Sequence, residues 1–327
     1  MSTEQDDEYD DSNRAFLQAL IARSTLTFEE AQRMLAAILA SFNQTETRPE
    51  DVTQEAFNKY ISAANDAISE FDMEIRSTVH QVTKQRIYAI INSTSDVSTQ
   101  MATGFTPDEI SYVKRVLDAM FETNNTLRHE IMAIQPIQAT KLHKPPPTRA
   151  SPAGAETQGS AGTQITVLQA EKVLASLVEQ GWFEKSRKMY YSLSPRALME
   201  LRGWLEQTYN DEEDEEATGS GTKIKMCHAC REIVTYGQRC AKLTCPTRFH
   251  DSCAEGYFRV QRERSCPLCK TRWTGKDFVG ERAASDKAVP KQRRKASQKQ
   301  ATPGTSSKRQ QTAVNGHGDD DDDDDED

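Results

Sequence analysis

All seven cysteines of this 327-residue chain fall between Cys227 and Cys269. With His250 they form eight ligand-type residues in the order Cys227, Cys230, Cys240, Cys245, His250, Cys253, Cys266 and Cys269. A CxxC pair opens the series, another closes it, and an HxxC pair stands between them. Thiolate and imidazole suit the borderline-soft zinc ion, and a CxxC turn aims two sulfurs at one centre. Eight such residues fill two closed tetrahedral sites, so two structural zinc ions are expected, with no open position to activate water. The competing reading is a set of reduced thiols buried as small apolar residues. It fits poorly, because residues 223–281 carry twelve Lys/Arg and six Asp/Glu. His228, inside the first CxxC turn, reads as a surface residue outside the ligand set.

The rest of the chain supports an intracellular metal site over a disulfide framework. The first residues, MSTEQDDEYDD, are acidic and lack the apolar region of a secretory signal, and no 18-residue apolar run follows. No membrane partner is expected. The net charge of −9 conceals two acidic runs, DEEDEE at 211–216 and nine acids from Asp319 to Asp327. Without those fifteen, 41 basic residues face 35 acidic ones, and nine of the basic residues lie in 282–309. The KQRRK run at 291–295 reads as a nuclear import signal or a solvated tail.

Upstream of the cysteines, helical periodicity recurs. Phe16, Leu17, Leu20 and Ile21 share a face; so do Phe28, Ala31, Leu35, Ile38 and Leu39, behind a Thr27-x-x-Glu30 capping box. Phe57, Tyr60, Ile61, Ala64, Ile68 and Phe71 form a third stripe, and Met73 to Ser93 reads as a hairpin turning near Thr83–Lys84. Three helices and a hairpin are the element order of a winged helix. A fourth helix starts at Thr106-Pro107-Asp108-Glu109. Residues 163–209 repeat the pattern on a smaller scale.

The expected architecture is mainly α with small β. An acidic disordered lead (1–10) precedes a first winged-helix unit (11–143), a linker (144–162) and a second winged-helix unit (163–209). An acidic linker (210–222), a zinc finger (223–281) and a disordered basic-then-acidic tail (282–327) complete it. The helices that would enter a DNA groove are weakly acidic: Gln169, Glu171, Lys172, Ser176 and Glu179 in one, and Lys59 against Asp66 and Glu70 in the other. The winged units are therefore expected to dock protein. A weak DNA contact through Lys185, Arg187 and Lys188 is the alternative.

Four cysteines, one histidine and three cysteines is a ligand order shared by plant-homeodomain fingers, which read histone tails, and RING-type ubiquitin ligases. The first class typically carries tryptophan two residues before the seventh ligand, where this chain has Arg264. The second typically has proline inside the last pair and a basic residue after it, as in Cys266-Pro267-Leu268-Cys269-Lys270. RING-like is the better reading.

The stretches DDSNRAFLQALIARSTLTFEEAQRMLAAIL, GWFEKSRKMYYSLSPRALMELRGWLEQTYND and CHAC…RCAKLTC…RFHDSC…CPLCKTRW resemble a fungal member of the non-SMC element one family. That family is the variant-RING subunit of the SMC five–six complex of DNA repair and chromosome maintenance. The resemblance implies two winged units docking a MAGE-domain partner (non-SMC element three) near the kleisin subunit, a nuclear location, and a RING-type ubiquitin transferase. Cys245 where ordinary RINGs carry histidine, and the small Ala229, point to activity that is weak without that partner. It implies a cross-brace, with Cys227, Cys230, His250 and Cys253 on one zinc and Cys240, Cys245, Cys266 and Cys269 on the other; spacing alone also permits sequential pairing. It places a conjugating-enzyme docking surface at Ala229, Ile233, Pro267 and Leu268, with Lys270 where a basic residue bridges enzyme and ubiquitin. No residue forms a covalent intermediate. Phe249 and Trp273 read as core aromatics. The alternatives are an architectural subunit whose finger only supports assembly and, further off, a histone-reading finger.

Overall fold

The computed structural model describes residues 9–44, 46–93, 104–145, 164–210, 222–261 and 263–285. Most of the expected lead, both linkers and the tail beyond Ser285 lie outside these residues. Everything described belongs to one compact unit.

The first winged helix comprises α1 (Asp11–Arg23), β1 (Thr25–Thr27), α2 (Phe28–Asn43), α3 (Gln54–Ile68), β2 (Met73–Val79) and β3 (Arg86–Asn92). Each helix starts where the sequence supplies an oxygen for its free amides. Asp10 accepts from Asn13 N ahead of α1, Thr53 caps α3, and Thr27 and Glu30 cap α2 reciprocally. Thr27→Ala is expected to cost about 1 kcal/mol in a denaturant titration, because it orphans the Glu30 amide. The sheet is antiparallel in the order β1-β3-β2. The core gathers Phe16, Leu20, Leu35, Phe57 and Ile68, with the Phe57 ring edge-on to Phe16 and Tyr88. Three expected stripe residues, Ile21, Leu39 and Phe71, fall outside this core. Ile21 is 56% exposed, because the stripe needs only Phe16 and Leu20 against α3. Phe71 is 69% exposed, because the chain leaves α3 through a 3-10 turn at Ser69–Phe71 that rotates it off the face.

The second winged helix contains α4 (Pro107–Asp118, extended by a π turn at Ala119–Thr123), α5 (Pro136–Lys141), α6 (Val167–Glu179), β4 (Phe183–Lys185) and β5 (Tyr191–Leu193). Here the third strand is reduced to a single bridge, Ile134 to Tyr191, closed by two backbone hydrogen bonds of 2.9 and 2.8 Å. The packing departs from the expected boundary at residue 143. Tyr112, Val113, Val116 and Leu117 of α4 bury against Ala170, Val173 and Leu177 of α6, and none joins the first core. A single amphipathic stripe does not say which core it serves. The helical segment that ends the unit breaks at Leu201 into α7 (Pro195–Glu200) and α8 (Arg202–Tyr209). The break lets α7 lie across β3 and β2 of the first unit, where Met199 meets Ala89 and Ile91.

The finger holds a three-stranded sheet in the order β7 (Arg248–Phe249), β6 (Gly237–Arg239), β8 (Phe278–Val279), with α9 (Asp251–Arg259) and α10 (Glu281–Ser285). A Cβ at Gly237 would collide with the Phe249 carbonyl, so the β6–β7 approach requires glycine. The tail, expected from residue 282, starts later. Ala283 is buried beside Ile131 and Ala133, and the Arg282 guanidinium sits 4.3 Å from both the Tyr236 and Phe278 rings. Among the described residues no helix is long and apolar enough to cross a membrane.

Candidate metal centre

Two backbone turns of matching geometry open and close the site. In the first, Arg231 N donates to Cys227 O at 3.0 Å and Cys227 N to Glu232 O at 2.8 Å. In the second, Lys270 N donates to Cys266 O at 3.0 Å and Cys266 N to Thr271 O at 2.8 Å. Arg231 and Lys270, each directly after a CxxC pair, hold φ near +60°, which reverses the chain so that both sulfurs point inward. His250 stands at the start of α9, and Cys253 follows one turn later. Cys240 closes β6, and Cys245 precedes β7.

The eight side chains fall into two groups, Cys227, Cys230, His250 and Cys253 in one and Cys240, Cys245, Cys266 and Cys269 in the other. Within each, the donor atoms lie within 4.8 Å of one another. Tetrahedral zinc with sulfur at about 2.3 Å places sulfurs about 3.8 Å apart. The observed separations are close to that: Cys245 to Cys266 is 3.7 Å, Cys240 to Cys269 is 3.4 Å, and His250 Nδ1 lies 3.3 Å from Cys230 Sγ and 3.9 Å from Cys253 Sγ. Donor set and spacing fit two structural zinc ions in an interleaved arrangement. When bound, the metal supplies only a cross-link, since the protein offers four donors to each ion.

Crowding sets the thiols against one another. The hydrogen bond with Cys230 holds the Cys227 thiol down to about 3 and pushes Cys230 up. Burial raises Cys253 and Cys240, whereas hydrogen bonding with Thr271 holds Cys269 down to about 6. A divalent cation lets all the sulfurs of one group ionise together. Surrounding groups are set for that state. Thr247 Oγ1 lies 3.4 Å from Cys245 Sγ and 3.3 Å from Cys266 Sγ. His250 Nε2 is 3.1 Å from Ile233 O, which fixes that nitrogen as the N–H and leaves Nδ1 for the sulfur side.

Sequence reading missed the ionic cluster between the two groups. Arg248, 1% exposed and placed between Cys245 and His250, donates through Nε to Glu130 Oε2 at 2.6 Å and through Nη2 to Oε1. Its Nη1 donates to Cys245 O at 2.7 Å and Thr247 O at 2.8 Å. Lys225 and Arg239 also face the Glu130 carboxylate. Burial alone would raise the Glu130 carboxyl, but the Arg248 hydrogen bonds and the three cations outweigh it and hold the group down to about 2. Three cations against one carboxylate leave an excess of two positive charges. That excess complements the formal −2 of a zinc ion bound by four thiolates, and Cys240 and Cys245 both adjoin these arginines. Glu130 lies 118 residues from Arg248, so no local pattern could have flagged the pair.

The residues expected to dock a conjugating enzyme differ in exposure. Ala229 and Lys270 are exposed, Pro267 is half-buried, and Leu268 is 61% exposed. Ile233 is a correction: it is 2% exposed, turned into the core beside Val234, because its segment is pinned by β-bridge pairing with Met226. Phe249 and Trp273 pack edge-on at 5.4 Å inside the finger, with Phe258 and Tyr257 against them. On the wing of the second unit Lys185, Arg187 and Lys188 are exposed, and Lys185 Nζ lies 5.2 Å from the centre of the Tyr191 ring.

Residues 13–201 match the family described as the Nse1 non-SMC component of the SMC5-6 complex, and residues 227–269 match the RING-like domain. The human protein named non-structural maintenance of chromosomes element 1 homolog is 22% identical over 264 residues, covering 80% of this chain and 84% of its own. Its counterpart in Schizosaccharomyces pombe is 23% identical over 280 residues, covering 86% and 99%. A chain of a solved structure titled Nse1-Nse3-Nse4 complex superposes with a TM-score of 0.61 at 20% identity, over 81% of this chain and 97% of that one.

Proposed function

This chain belongs to the family of the Nse1 non-SMC component of the SMC5-6 complex, and on that footing we propose that it is a RING-type ubiquitin ligase subunit of that complex, held by a MAGE-domain partner and a kleisin and acting on chromosomes in the nucleus. The observation that carries the ligase reading is the finger's second turn. Two interleaved four-donor groups fix a rigid knuckle, and from it Leu268 and Lys270 project into solvent beside Pro267. A ligase of this kind forms no bond to ubiquitin. It holds a conjugating enzyme and its thioester-linked ubiquitin in an attack-ready geometry, which is a positioning effect.

In this chain, Leu268 and Ala229 supply the apolar contact for the conjugating enzyme. Lys270, whose Nζ now donates to Pro267 O at 2.9 Å, supplies the mobile cation. Reconstitution with the MAGE partner, activating enzyme and a panel of conjugating enzymes is expected to yield ubiquitin chains. Leu268→Ala or Lys270→Ala should lower the rate about tenfold or more, as loss of a positioning contact does. Absence of chains with every conjugating enzyme would sink the ligase reading.

An architectural role is the second reading, supported by the buried Glu130–Arg248 pair that fastens the finger to the second winged unit. It predicts that Leu268→Ala and Lys270→Ala leave repair intact in cells while Cys253→Ser abolishes complex assembly.

A further inference from the structure

The wing of the first winged helix ends at residues 80–84, between β2 and β3. In a winged helix this tip commonly lies free to meet a phosphate backbone. Here three polar side chains of the tip, His80, Gln81 and Lys84, are engaged within the chain. His80 Nδ1 accepts from Val82 N at 3.1 Å and Thr83 N at 3.3 Å, which shapes the turn, and its Nε2 lies 3.1 Å from Glu184 Oε1 on β4. Lys84 Nζ reaches both carboxylate oxygens of Glu255 on α9 at 3.1 Å. Gln81 makes the most directed contact. Its Oε1 accepts from Thr235 N at 3.0 Å and Tyr236 N at 2.8 Å, and its Nε2 donates to Ile233 O at 2.9 Å.

Ile233 O is the same oxygen that His250 Nε2 addresses at 3.1 Å. A carbonyl oxygen has two lone pairs, and here Gln81 takes one and His250 the other. The imidazole orientation therefore depends on a carbonyl held from outside the finger. The chain of contacts runs from the wing amide to the Ile233 carbonyl, then to the His250 ring, and so to the donor group of Cys227, Cys230 and Cys253.

We propose that Gln81 is a positioning residue for the site formed by Cys227, Cys230, His250 and Cys253: through Ile233 it sets the His250 ring and so slows metal loss from that site alone. The proposal rests on the reading of the two groups as zinc sites. It also gives the first wing a task other than nucleic-acid contact, since lifting the wing would loosen a metal ligand. The second site has no such tie to the wing, because neither Cys240, Cys245, Cys266 nor Cys269 touches residues 80–84 through any of these bonds.

The test is chelator-driven metal loss from the full-length protein, followed with cobalt in place of zinc so that the three-sulfur, one-nitrogen site and the four-sulfur site are told apart by their absorption. Outer-shell partners typically contribute 10- to 100-fold to metal affinity, and Gln81 acts one bond further out. Gln81→Ala is expected to speed loss from the three-sulfur site about tenfold and to leave the four-sulfur site unchanged. Gln81→Glu, equal in length but unable to donate to Ile233, should do the same with the hairpin intact. Lys84→Ala, which removes the tip's bond to Glu255 but not the one to Ile233, should change neither rate. Two bound metals with equal release in wild type and both Gln81 variants would overturn the proposal alone. A full-length protein that binds no zinc would overturn the metal reading and the proposal with it.

Discussion

Cys253→Ser, or removal of metal by a strong chelator, is expected to unfold the finger and to lower the melting temperature of the second winged helix as well. Zinc binding in a small finger supplies on the order of 10 kcal/mol of folding free energy, more than the finger's own apolar contacts can replace. The reach into the winged unit follows from the core. Val234, Phe249 and Phe258 of the finger share one apolar cluster with Leu201 at the α7–α8 break and with Leu205 and Tyr209 of α8. Polar contacts cross the same seam, where Ile224 N donates to Asn210 Oδ1 at 2.7 Å and Asn210 Nδ2 donates back to Ile224 O at 3.2 Å. The first winged helix keeps a separate core around Phe57 and should hold its protection. Hydrogen exchange with and without chelator would resolve the three regions. Unchanged protection across residues 105–209 after metal loss would show that the shared core does not transmit the change.

The second large effect is expected at Glu130. Glu130→Gln leaves Arg248, Lys225 and Arg239 facing one another without a carboxylate, and breaking a buried pair in this way costs about 3–5 kcal/mol. Arg248→Met should cost less, since it also removes a buried cation, and a double-mutant cycle between the two positions should show strong coupling. The pH dependence has a definite sign. The folded-state carboxyl lies at about 2, below its ordinary value of 4.5. It therefore contributes its stability in full above about pH 4.5 and loses it as the pH falls toward 2. The difference between wild type and Glu130→Gln should be widest near neutrality and close through that acid window. A difference that stays constant across the window in urea titrations would exclude an ionised Glu130.

What the sequence disclosed was chemistry that is local along the chain. Thr27 with Glu30, and Thr106 with Glu109, announce helix starts because a cap and its amide lie three residues apart. The eight ligands announce themselves because few residue types can do their work. The pairing among them stayed open until the fold brought His250 to Cys230 and Cys245 to Cys266. Hidden features join distant positions. The α4 stripe reads the same whether it serves the first core or the second, and only contact with Val173 and Leu177 decides. Ile233 looks like a surface aliphatic until its neighbours Val234 and Met226 are placed around it. Gln81 and Ile233 are 152 residues apart, beyond any periodicity.

The joint between finger and winged units bears on modularity. Residues 222–285 on their own would present Arg248 and Arg239 with no Glu130, leave Ile233 O without Gln81, and expose Ile224 and Val234 to water. A finger separated in this way keeps its eight ligands and loses the frame that orients them. Swapping it into another protein, or grafting a different RING onto this one, would transfer the motif without the behaviour. The orientation of such a finger is tied to positions in two other units of the chain, Gln81 and Glu130.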